Sequence, residues 1–285
     1  MRTHAPCRLV LLHGLASTPR EFGLLIHPLR RLGVELIAPT VQGYSHELLS
    51  LSPARWQDWV ARASDRVDAI AAESPEPFVL GGLCTGAMLA VAVAAHRRHP
   101  RLRGLALLSP LFAYDGWSLP WWYRLRHLAY LLGLERRFSM RERPPYGLKN
   151  ERLREWIRKQ MRSEQATVVG PAQVSLQIVR ESERISRHAR ECLAHLGLPI
   201  LALHAVEDEI CDVRSAQSAL TLVAPHRLRM ELLHDSYHMI TADNDRERVA
   251  QTIADFLCND LGLAQPAPGQ FGEALTESGD RLVAS

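Results

Sequence analysis

The apolar residues of this chain form short runs that alternate with helical patterns. Runs of about four to eight residues rich in Leu, Ile and Val are typical of strands that are buried on both faces. We predict six such strands, over residues 7–14, 34–40, 78–83, 103–110, 199–205 and 228–234. The alternation predicts an α/β fold in which a mostly parallel central sheet carries helices on both faces.

Local signals mark the predicted helix boundaries. Residues 18–21, with the sequence TPRE, fit a capping box with proline in the first turn. Gly33 predicts the end of that helix, and Ser52-Pro53 predicts the start of the next one. Further helices are predicted over residues 85–98, 213–223 and 244–258.

The interval 111–190 departs from this alternation. It has helical patterns and many aromatic residues but no clear strand, so we predict a helical cap inserted into the core. The core then has two parts, residues 1–110 and 191–262. Residues 263–285 contain the segment PAPGQ and many polar residues, and we expect them to form a flexible C-terminal tail.

The composition is that of an ordinary soluble globular protein, with 47% apolar and 23% charged residues in a chain of 285. A formal net charge of +3 does not favour nucleic acid as a partner. The predicted cap nevertheless contains sixteen Lys and Arg against eight Asp and Glu. This excess has two interpretations, a solvated surface of Arg–Glu pairs or a basic rim that binds coenzyme A or an acidic acyl carrier protein.

The cysteines are not spaced as metal ligands or as a redox pair. The apolar run before His13 is about five residues long, which is too short for a signal peptide or a membrane span. We therefore expect a reduced cytoplasmic protein with no membrane span, and the sequence implies no metal ion and no other cofactor. The cysteines are Cys7, Cys84, Cys192, Cys211 and Cys258.

One glycine-rich segment carries candidate chemistry. Residues 82–86, with the sequence GLCTG, fit the pattern G-x-nucleophile-x-G between a predicted strand and a predicted helix. The glycines permit a tight turn that raises the side chain of Cys84 at the helix N-terminus. The positive end of the helix dipole favours a thiolate and a developing oxyanion there. The alternative is a small buried cysteine in a glycine-rich turn.

Three further segments accompany this turn. His13-Gly14 closes the first strand, HAVEDEICDV (204–213) comes at the end of the fifth, and SYHMIT (236–241) follows the sixth. Together with the turn, these segments resemble the α/β-hydrolase superfamily, and in particular its monoacylglycerol lipase and carboxylesterase branch. The resemblance covers residues 7–110 and 199–258, and the predicted cap occupies the position of the cap in that family.

The resemblance implies a catalytic triad in which Cys84 is the nucleophile, His238 the base and Asp208 the acid. It also implies an oxyanion hole formed by the backbone N–H groups of Leu15 and Thr85.

Other polar residues near these segments have different expected roles. Asp212 is an alternative acid in the same loop as Asp208. Glu207 and Glu209 are expected to be solvated loop charges, and His13 is expected to be structural rather than catalytic.

The apolar start of the cap is predicted to roof an acyl pocket. The alternative is that these side chains only seat the cap on the sheet, and both roles are compatible. The residues are Leu111, Phe112, Trp117, Trp121 and Trp122.

A cysteine nucleophile favours some acyl compounds over others. A free thiol has a pKa of about 8.5 and attacks readily as a thiolate, but a thiolate also leaves a tetrahedral intermediate more readily than an alkoxide. Thioesters and enol-type esters avoid this difficulty because their leaving groups are stabilised anions. The G-x-C-x-G turn is similar to those of dienelactone hydrolases, which open enol lactones, and polyhydroxyalkanoate synthases, which handle thioesters.

We therefore expect an acyl hydrolase of the esterase or thioesterase type. It would act on a small-molecule acyl ester or thioester through an acyl-cysteine intermediate. The alternative is an acyltransferase that moves an acyl group from a coenzyme A or carrier-protein thioester via Cys84. A third hypothesis is a non-catalytic ligand-binding homologue that retains the fold.

Overall fold

The computed structural model describes residues 7–43, 55–141, 143–163, 166–167, 170–171 and 173–263. The helix start predicted at Ser52-Pro53 and the predicted tail, apart from Leu263, lie outside these residues. Within the described part of the chain, no helix combines the length and the apolar character that a membrane crossing requires.

Six of the described strands form one sheet. In chain order the strands are β1 (Cys7–Leu12), β2 (Val34–Ile37), β3 (Phe78–Leu83), β4 (Leu102–Leu108), β5 (Ser139–Arg141), β6 (Ala166–Thr167), β7 (Gly170–Pro171), β8 (Gln173–Ser175), β9 (Ile200–Ala205) and β10 (Leu228–Leu233). The order across the sheet is β10-β9-β4-β3-β1-β2, and every neighbouring pair is parallel. All six predicted strands are present, several of them ending earlier than expected, so the predicted α/β fold is confirmed.

Helices lie on both faces of this sheet. In chain order they are α1 (Gly23–Arg31), α2 (Trp56–Ala72), α3 (Thr85–His96), α4 (Arg126–Leu131), α5 (Glu151–Ser163), α6 (Leu176–Leu193), α7 (Val213–Leu220) and α8 (Arg246–Asp255). Short 3-10 helices cover Pro19–Phe22, Trp121–Leu125 and Pro225–Arg227, and a π-helical turn at Phe256–Asp260 follows α8.

Two apolar layers hold these helices against the sheet. One layer joins the sheet to α2, α3 and α6, and the other joins it to α1 and α8. Helix α3 is buried on all sides over most of its length. Its sequence, TGAMLAVAVAAH, accordingly has no polar face and consists mainly of small residues, which lets it fit between the sheet and its neighbouring helices.

The interval between β4 and β9 contains α4, α5, α6 and four short strands. Strand β5 pairs antiparallel with β8, and β6 pairs antiparallel with β7, so the expectation of an interval without strands is wrong. Strands of two or three residues show too little alternation to be recognised in a sequence. Helix α6 continues past residue 190, where the cap was predicted to end, and packs against α3 in the core.

The close approach of α3 to β1 depends on Gly86. A Cβ atom at this position would overlap the backbone carbonyls of Leu12 and His13. We expect Gly86→Ala to lower the free energy of unfolding by about 2 kcal/mol or more, because the backbone has to move to relieve the overlap. Urea denaturation followed by circular dichroism measures this change.

Gly23→Ala is the matched control for that substitution. Gly23 has helical backbone angles, and open space surrounds the position of its missing Cβ. This substitution should leave the free energy of unfolding unchanged or raise it by up to about 1 kcal/mol. Equal losses of stability in the two variants would contradict the steric explanation.

Candidate active site

Cys84 lies between β3 and α3 in a backbone conformation that is rare for a residue with a side chain. Its φ is 58° and its ψ is −123°, which is strained for an L-amino acid. The backbone is held on both sides, because the N–H of Cys84 donates to the carbonyl oxygen of Leu108 (3.0 Å) and its carbonyl oxygen accepts the N–H of Leu111 (3.4 Å). The half-buried side chain lines a cavity beneath the cap.

Asp208 and His238 meet at the carboxyl edge of the sheet. Asp208 lies in the loop after β9, and His238 lies in the loop after β10. Nδ1 of His238 is 2.8 Å from Oδ2 and 3.0 Å from Oδ1 of Asp208. The N–H groups of Ile210 and Cys211 donate to Oδ1 of the same carboxylate, each at 2.9 Å. These bonds fix the orientation of the carboxylate and therefore of the imidazole.

The surroundings of His238 favour its protonated form. Burial lowers the pKa of the imidazole, but the charge of Asp208 and the neighbouring sulfur of Cys84 raise it, so that the pKa lies well above its ordinary value. Nε2 is buried, and the thiol of Cys84 is its only hydrogen-bonding neighbour among the described residues, at a geometry looser than that of a normal hydrogen bond. This ring nitrogen is therefore available to the sulfur of Cys84 or to a bound molecule.

Asp208 remains ionised despite being almost fully buried. Burial raises its pKa, but the charge of His238, the hydrogen bond from its Nδ1 and the N–H of Cys211 together lower it below the ordinary value. His204 is itself held neutral, because burial lowers its pKa. Its Nε2 lies 2.9 Å from the carbonyl oxygen of Cys211, to which it donates as the neutral tautomer. His238 is thus paired with a full negative charge.

Asp212, the alternative acid, has a different partner. It caps the N-terminus of α7, where its Oδ1 accepts the N–H of Arg214 at 2.8 Å and its Oδ2 pairs with the guanidinium of Arg214 at 2.8 Å. Those hydrogen bonds lower its pKa to about 2. The structure therefore brings Asp208 to the imidazole of His238 and leaves Asp212 at the surface of α7.

The cavity that contains Cys84 and His238 has a volume of about 330 Å³. Its walls are mainly apolar, which suits an acyl chain, and its described lining includes the arginines Arg141 and Arg143 as well as His238. The apolar and aromatic lining includes Leu15, Tyr114, Leu119, Trp122, Tyr123, Met140, Val174, Val179, Ile210 and Met239.

The cap residues predicted to roof the pocket mostly lie elsewhere. Trp122 lines the cavity. Leu111 is fully buried and Phe112 packs against the core. Trp117 is exposed and donates from Nε1 to the carbonyl oxygen of Glu207 at 3.0 Å, while Trp121 is 80% exposed. A 3-10 helix has three residues per turn, so the adjacent side chains of Trp121 and Trp122 point in different directions.

The predicted oxyanion donors stay available for a ligand. The N–H groups of Leu15 and Thr85 do not donate to any loop or turn carbonyl of the described residues. Leu15 lines the cavity, and Thr85 begins α3, so its N–H has no partner within the helix. Their role as oxyanion donors remains a prediction.

His13 has the structural role that was expected. It is fully buried, and burial lowers its pKa to about 4. The N–H of Val41 donates to its Nε2 at 3.4 Å, which ties the end of β1 to the loop after β2.

Glu21 is a site residue that the sequence misassigned. The predicted capping box is wrong, because Thr18 makes no side-chain cap and the Glu21 carboxyl turns away from the helix start. Its Oε1 accepts the N–H of Gly14 at 2.7 Å, and the side chain lines the cavity. A glutamate at that spacing is the usual signal of a capping box, so the local sequence carried no sign of this position.

Glu209 is the second such residue. We expected a solvated charge, but Glu209 is 2% exposed and lines the cavity. Its Oε2 accepts the backbone N–H of His238 at 3.0 Å, and burial raises its pKa to about 7. Glu207, by contrast, is exposed and pairs with Lys149. A strand would have shown by its alternation which of the two glutamates faces inward, but an irregular loop has no such pattern.

The chain matches one known protein family and is similar in fold to several solved structures. A family model described as Hydrolase_4, serine aminopeptidase S33, matches residues 4–245. The chain is similar to the monoacylglycerol lipase of Paleococcus ferrophilus, with 19% identity and a TM-score of 0.67 over 89% of this chain and 95% of that one. It is also similar to a soluble variant of monoglyceride lipase from Saccharomyces cerevisiae, with 14% identity and a TM-score of 0.70 over 89% of this chain and 86% of that one. No curated protein sequence matches the chain significantly.

These findings confirm the α/β-hydrolase resemblance that the sequence segments predicted. The two structural likenesses concern the fold, because the identities are low. The cysteine nucleophile and its two partners remain a prediction.

Asp208 and Asp212 can be compared through the pKa of His238. We expect Asp208→Asn to lower this pKa by about one to three pH units, because burial then outweighs the remaining stabilisation of the imidazolium. Asp212→Asn should leave it nearly unchanged. Nuclear magnetic resonance titration of the imidazole Cε1 proton measures both, and an unchanged value in Asp208→Asn would contradict the pairing described above.

Proposed function

We propose that this chain, which belongs to the Hydrolase_4 family of α/β-hydrolases, cleaves acyl esters or thioesters through a covalent intermediate on Cys84. The family and the fold are those of an esterase- or lipase-type hydrolase. The finer proposal concerns the nucleophile, the groups that move its proton and the preferred leaving group.

In the first half-reaction, the sulfur of Cys84 attacks the acyl carbonyl carbon. The carbonyl oxygen becomes an oxyanion that accepts hydrogen bonds from the N–H groups of Leu15 and Thr85. His238 holds the thiol proton at Nε2 while Asp208 accepts from Nδ1. The bond between the carbonyl carbon and the leaving group then breaks, and the leaving group takes the proton from Nε2.

Water releases the acid in the second half-reaction. Nε2 of His238 accepts one proton from the water as its oxygen attacks the acyl carbon. The bond between the acyl carbon and the sulfur then breaks, and the proton held by His238 neutralises the departing thiolate. The products are a free carboxylic acid and the thiol of Cys84.

The proposal rests on one observation, the shared cavity of Cys84 and His238. Asp208 is bound to Nδ1 of the imidazole, which leaves Nε2 to interact with the thiol of Cys84. The raised pKa of His238 supports a ring that carries a proton beside the sulfur. Such a ring favours ionisation of the thiol and supplies the proton that a poor leaving group needs.

The cysteine favours thioesters and activated esters as substrates. The family description names a serine, whereas the residue at the nucleophile turn of this chain is Cys84. A thiolate is expelled in preference to an alkoxide of much higher pKa, so a simple alkyl ester tends to return to the starting compounds. A thiolate or enolate leaving group is expelled about as readily as the thiolate of Cys84. The tetrahedral intermediate can therefore go forward to the acyl-cysteine.

A second candidate function is acyl transfer from a coenzyme A or carrier-protein thioester. Arg141 and Arg143 line the cavity and are both exposed. Arginines in this position suit the phosphate groups of coenzyme A or of a phosphopantetheine arm. In this case a thiol, hydroxyl or amine takes the acyl group from Cys84 in place of water.

Intact-mass measurement tests the covalent intermediate. We expect incubation with aryl esters or acyl-coenzyme A to add one acyl mass to the protein, and we expect Cys84→Ala to abolish that addition and to lower turnover by more than about a thousandfold. Cys192→Ala is the matched control, since Cys192 is a half-buried cysteine of α6 outside the cavity. Absence of acylation in the unmodified protein would favour the non-catalytic alternative.

Replacement of the sulfur by oxygen tests the leaving-group argument. We expect Cys84→Ser to lower the ratio of thioester to oxygen-ester turnover by about tenfold or more, because the alkoxide is no longer the poorer leaving group. Steady-state kinetics on a matched pair of substrates with one acyl group measure the ratio. An unchanged ratio would count against the preference for stabilised leaving groups.

The lifetime of the acyl-enzyme separates hydrolysis from transfer. We expect the adduct to clear within minutes in buffer alone, as hydrolysis requires. Persistence in buffer for hours, followed by rapid clearance when a thiol, hydroxyl or amine acceptor is added, would reject hydrolysis in favour of transfer.

A further inference from the structure

We propose that Glu21 contributes a third hydrogen-bond donor to the oxyanion, through the hydroxyl of a neutral carboxylic acid at Oε2. This inference rests on the proposed attack of Cys84 on an acyl carbonyl. It assigns a catalytic role to a residue outside the predicted set of nucleophile, base, acid and backbone donors.

The carboxyl of Glu21 is built into the loop that would bind the oxyanion. Glu21 lies in the 3-10 helix Pro19–Phe22, a few residues after the His13-Gly14 turn. Its Oε1 accepts the N–H of Gly14 at 2.7 Å, directly before Leu15 in the chain. Glu21 is only 4% exposed, and it lines the cavity. Thr241 further fixes the segment, because its hydroxyl donates to the backbone carbonyl of Glu21 at 3.2 Å.

Both oxygens of this carboxyl border the space above Gly14, and the side chain of Cys84 borders the same space. A Cβ atom built on Gly14 would be 3.4 Å from Oε2 of Glu21 and 3.6 Å from Cβ of Cys84. Oε2 and Cys84 therefore flank the same glycine. An acyl carbonyl bonded to the sulfur would carry its oxygen into this neighbourhood, beside the N–H of Leu15.

The groups that face Glu21 leave it neutral at pH 7. Burial raises its pKa, while the hydroxyl of Ser17, the N–H of Gly14 and the charge of His238 lower it, and the result is about 8. The other ionisable residues that line the cavity are Cys84, Tyr114, Tyr123, Arg141, Arg143, Tyr146 and Glu209. Burial raises the pKa of Glu209 to about 7, and a negative charge on Glu209 would favour the neutral form of Glu21, because like charges disfavour each other.

A neutral carboxyl and an ionised one have opposite effects on an oxyanion. In the neutral form, Oε1 accepts the N–H of Gly14 as a carbonyl oxygen and Oε2 carries the proton, which it shares with the oxyanion without transferring it. Carboxylic acids held neutral by an apolar site act in this way in other enzymes. In the ionised form, the same group repels the oxyanion and slows the attack. Glu21 thus makes the acylation step fall in rate as the pH rises past its pKa.

Two substitutions separate this role from simple anchoring of Gly14. Glu21→Gln keeps an acceptor for the Gly14 N–H and provides an N–H donor that does not titrate. We expect the unmodified protein to show an alkaline decrease of kcat/KM near pH 8. We expect Glu21→Gln to retain kcat/KM at pH 7 within about threefold and to lack that decrease. Glu21→Leu removes both functions and should lower kcat by about tenfold to a hundredfold with little change in KM.

Glu209→Gln is the matched control, because it removes the other buried carboxyl of the cavity. It should retain the alkaline decrease near pH 8. If Glu21 only anchors Gly14, its ionised form anchors at least as well, and the pH profiles of the unmodified protein and Glu21→Gln will coincide. That coincidence would overturn the proposal, and so would a loss of activity in Glu21→Gln as large as in Glu21→Leu.

A readout that needs no substrate completes the test. The infrared difference spectrum of the unmodified protein minus Glu21→Gln should contain the carbonyl band of a neutral carboxylic acid at about pH 6 and lose it above about pH 9. Acylation of Cys84 together with an ionised Glu21 at about pH 6 would overturn this inference alone. Failure of Cys84 to become acylated would overturn the proposed function and this inference with it.

Discussion

The packing of the first turn of α3 onto the end of β1 is the constraint on which the site depends. Gly82 and Gly86 have no side chains, so the backbone of this turn lies directly against the carbonyls at the end of β1. Cys84 accommodates the abrupt change of direction with a positive φ. The loop after β1 is thereby held next to Cys84, whose Cβ would be 3.6 Å from a Cβ atom built on Gly14. The steric fit of the backbone therefore determines where the residues of the site lie.

Burial then determines which acidic groups near His238 are charged. Asp208 is ionised because backbone N–H groups and the imidazolium compensate its burial. For Glu21 and Glu209 the compensation is smaller than the effect of burial: each accepts a backbone N–H, from Gly14 and His238 respectively, and their pKa values still rise to about 8 and about 7. Three full negative charges around one imidazole would hold its proton too tightly for it to be passed on. A single firm charge on Asp208 keeps the ring basic and still able to release a proton.

The sequence predicted the parts of the molecule that follow a strong period or a strong local rule. The six strands of the sheet were found because apolar residues dominate each run, even in the half-buried edge strand β10 with its Arg229 and Glu231. The turn at Cys84 was found because two glycines bracket it. The short strands β5 and β8 escaped because three residues carry almost no period. Glu21 and Glu209 escaped for another reason: their burial depends on neighbours that are distant in the chain. Trp121 and Trp122 could not be told apart, since the direction of each ring depends on the 3-10 geometry of their segment.

Helix α6 is fastened to the core next to Cys84. The hydroxyls of Ser182 and Thr85 share a hydrogen bond of 2.8 Å, and Ser186 donates to the carbonyl oxygen of Leu111 at 2.6 Å. The N–H of Leu111 in turn donates to the carbonyl oxygen of Cys84. A displacement of α6 would therefore strain hydrogen bonds on both sides of Cys84, so the backbone of this turn and the position of the helix are coupled.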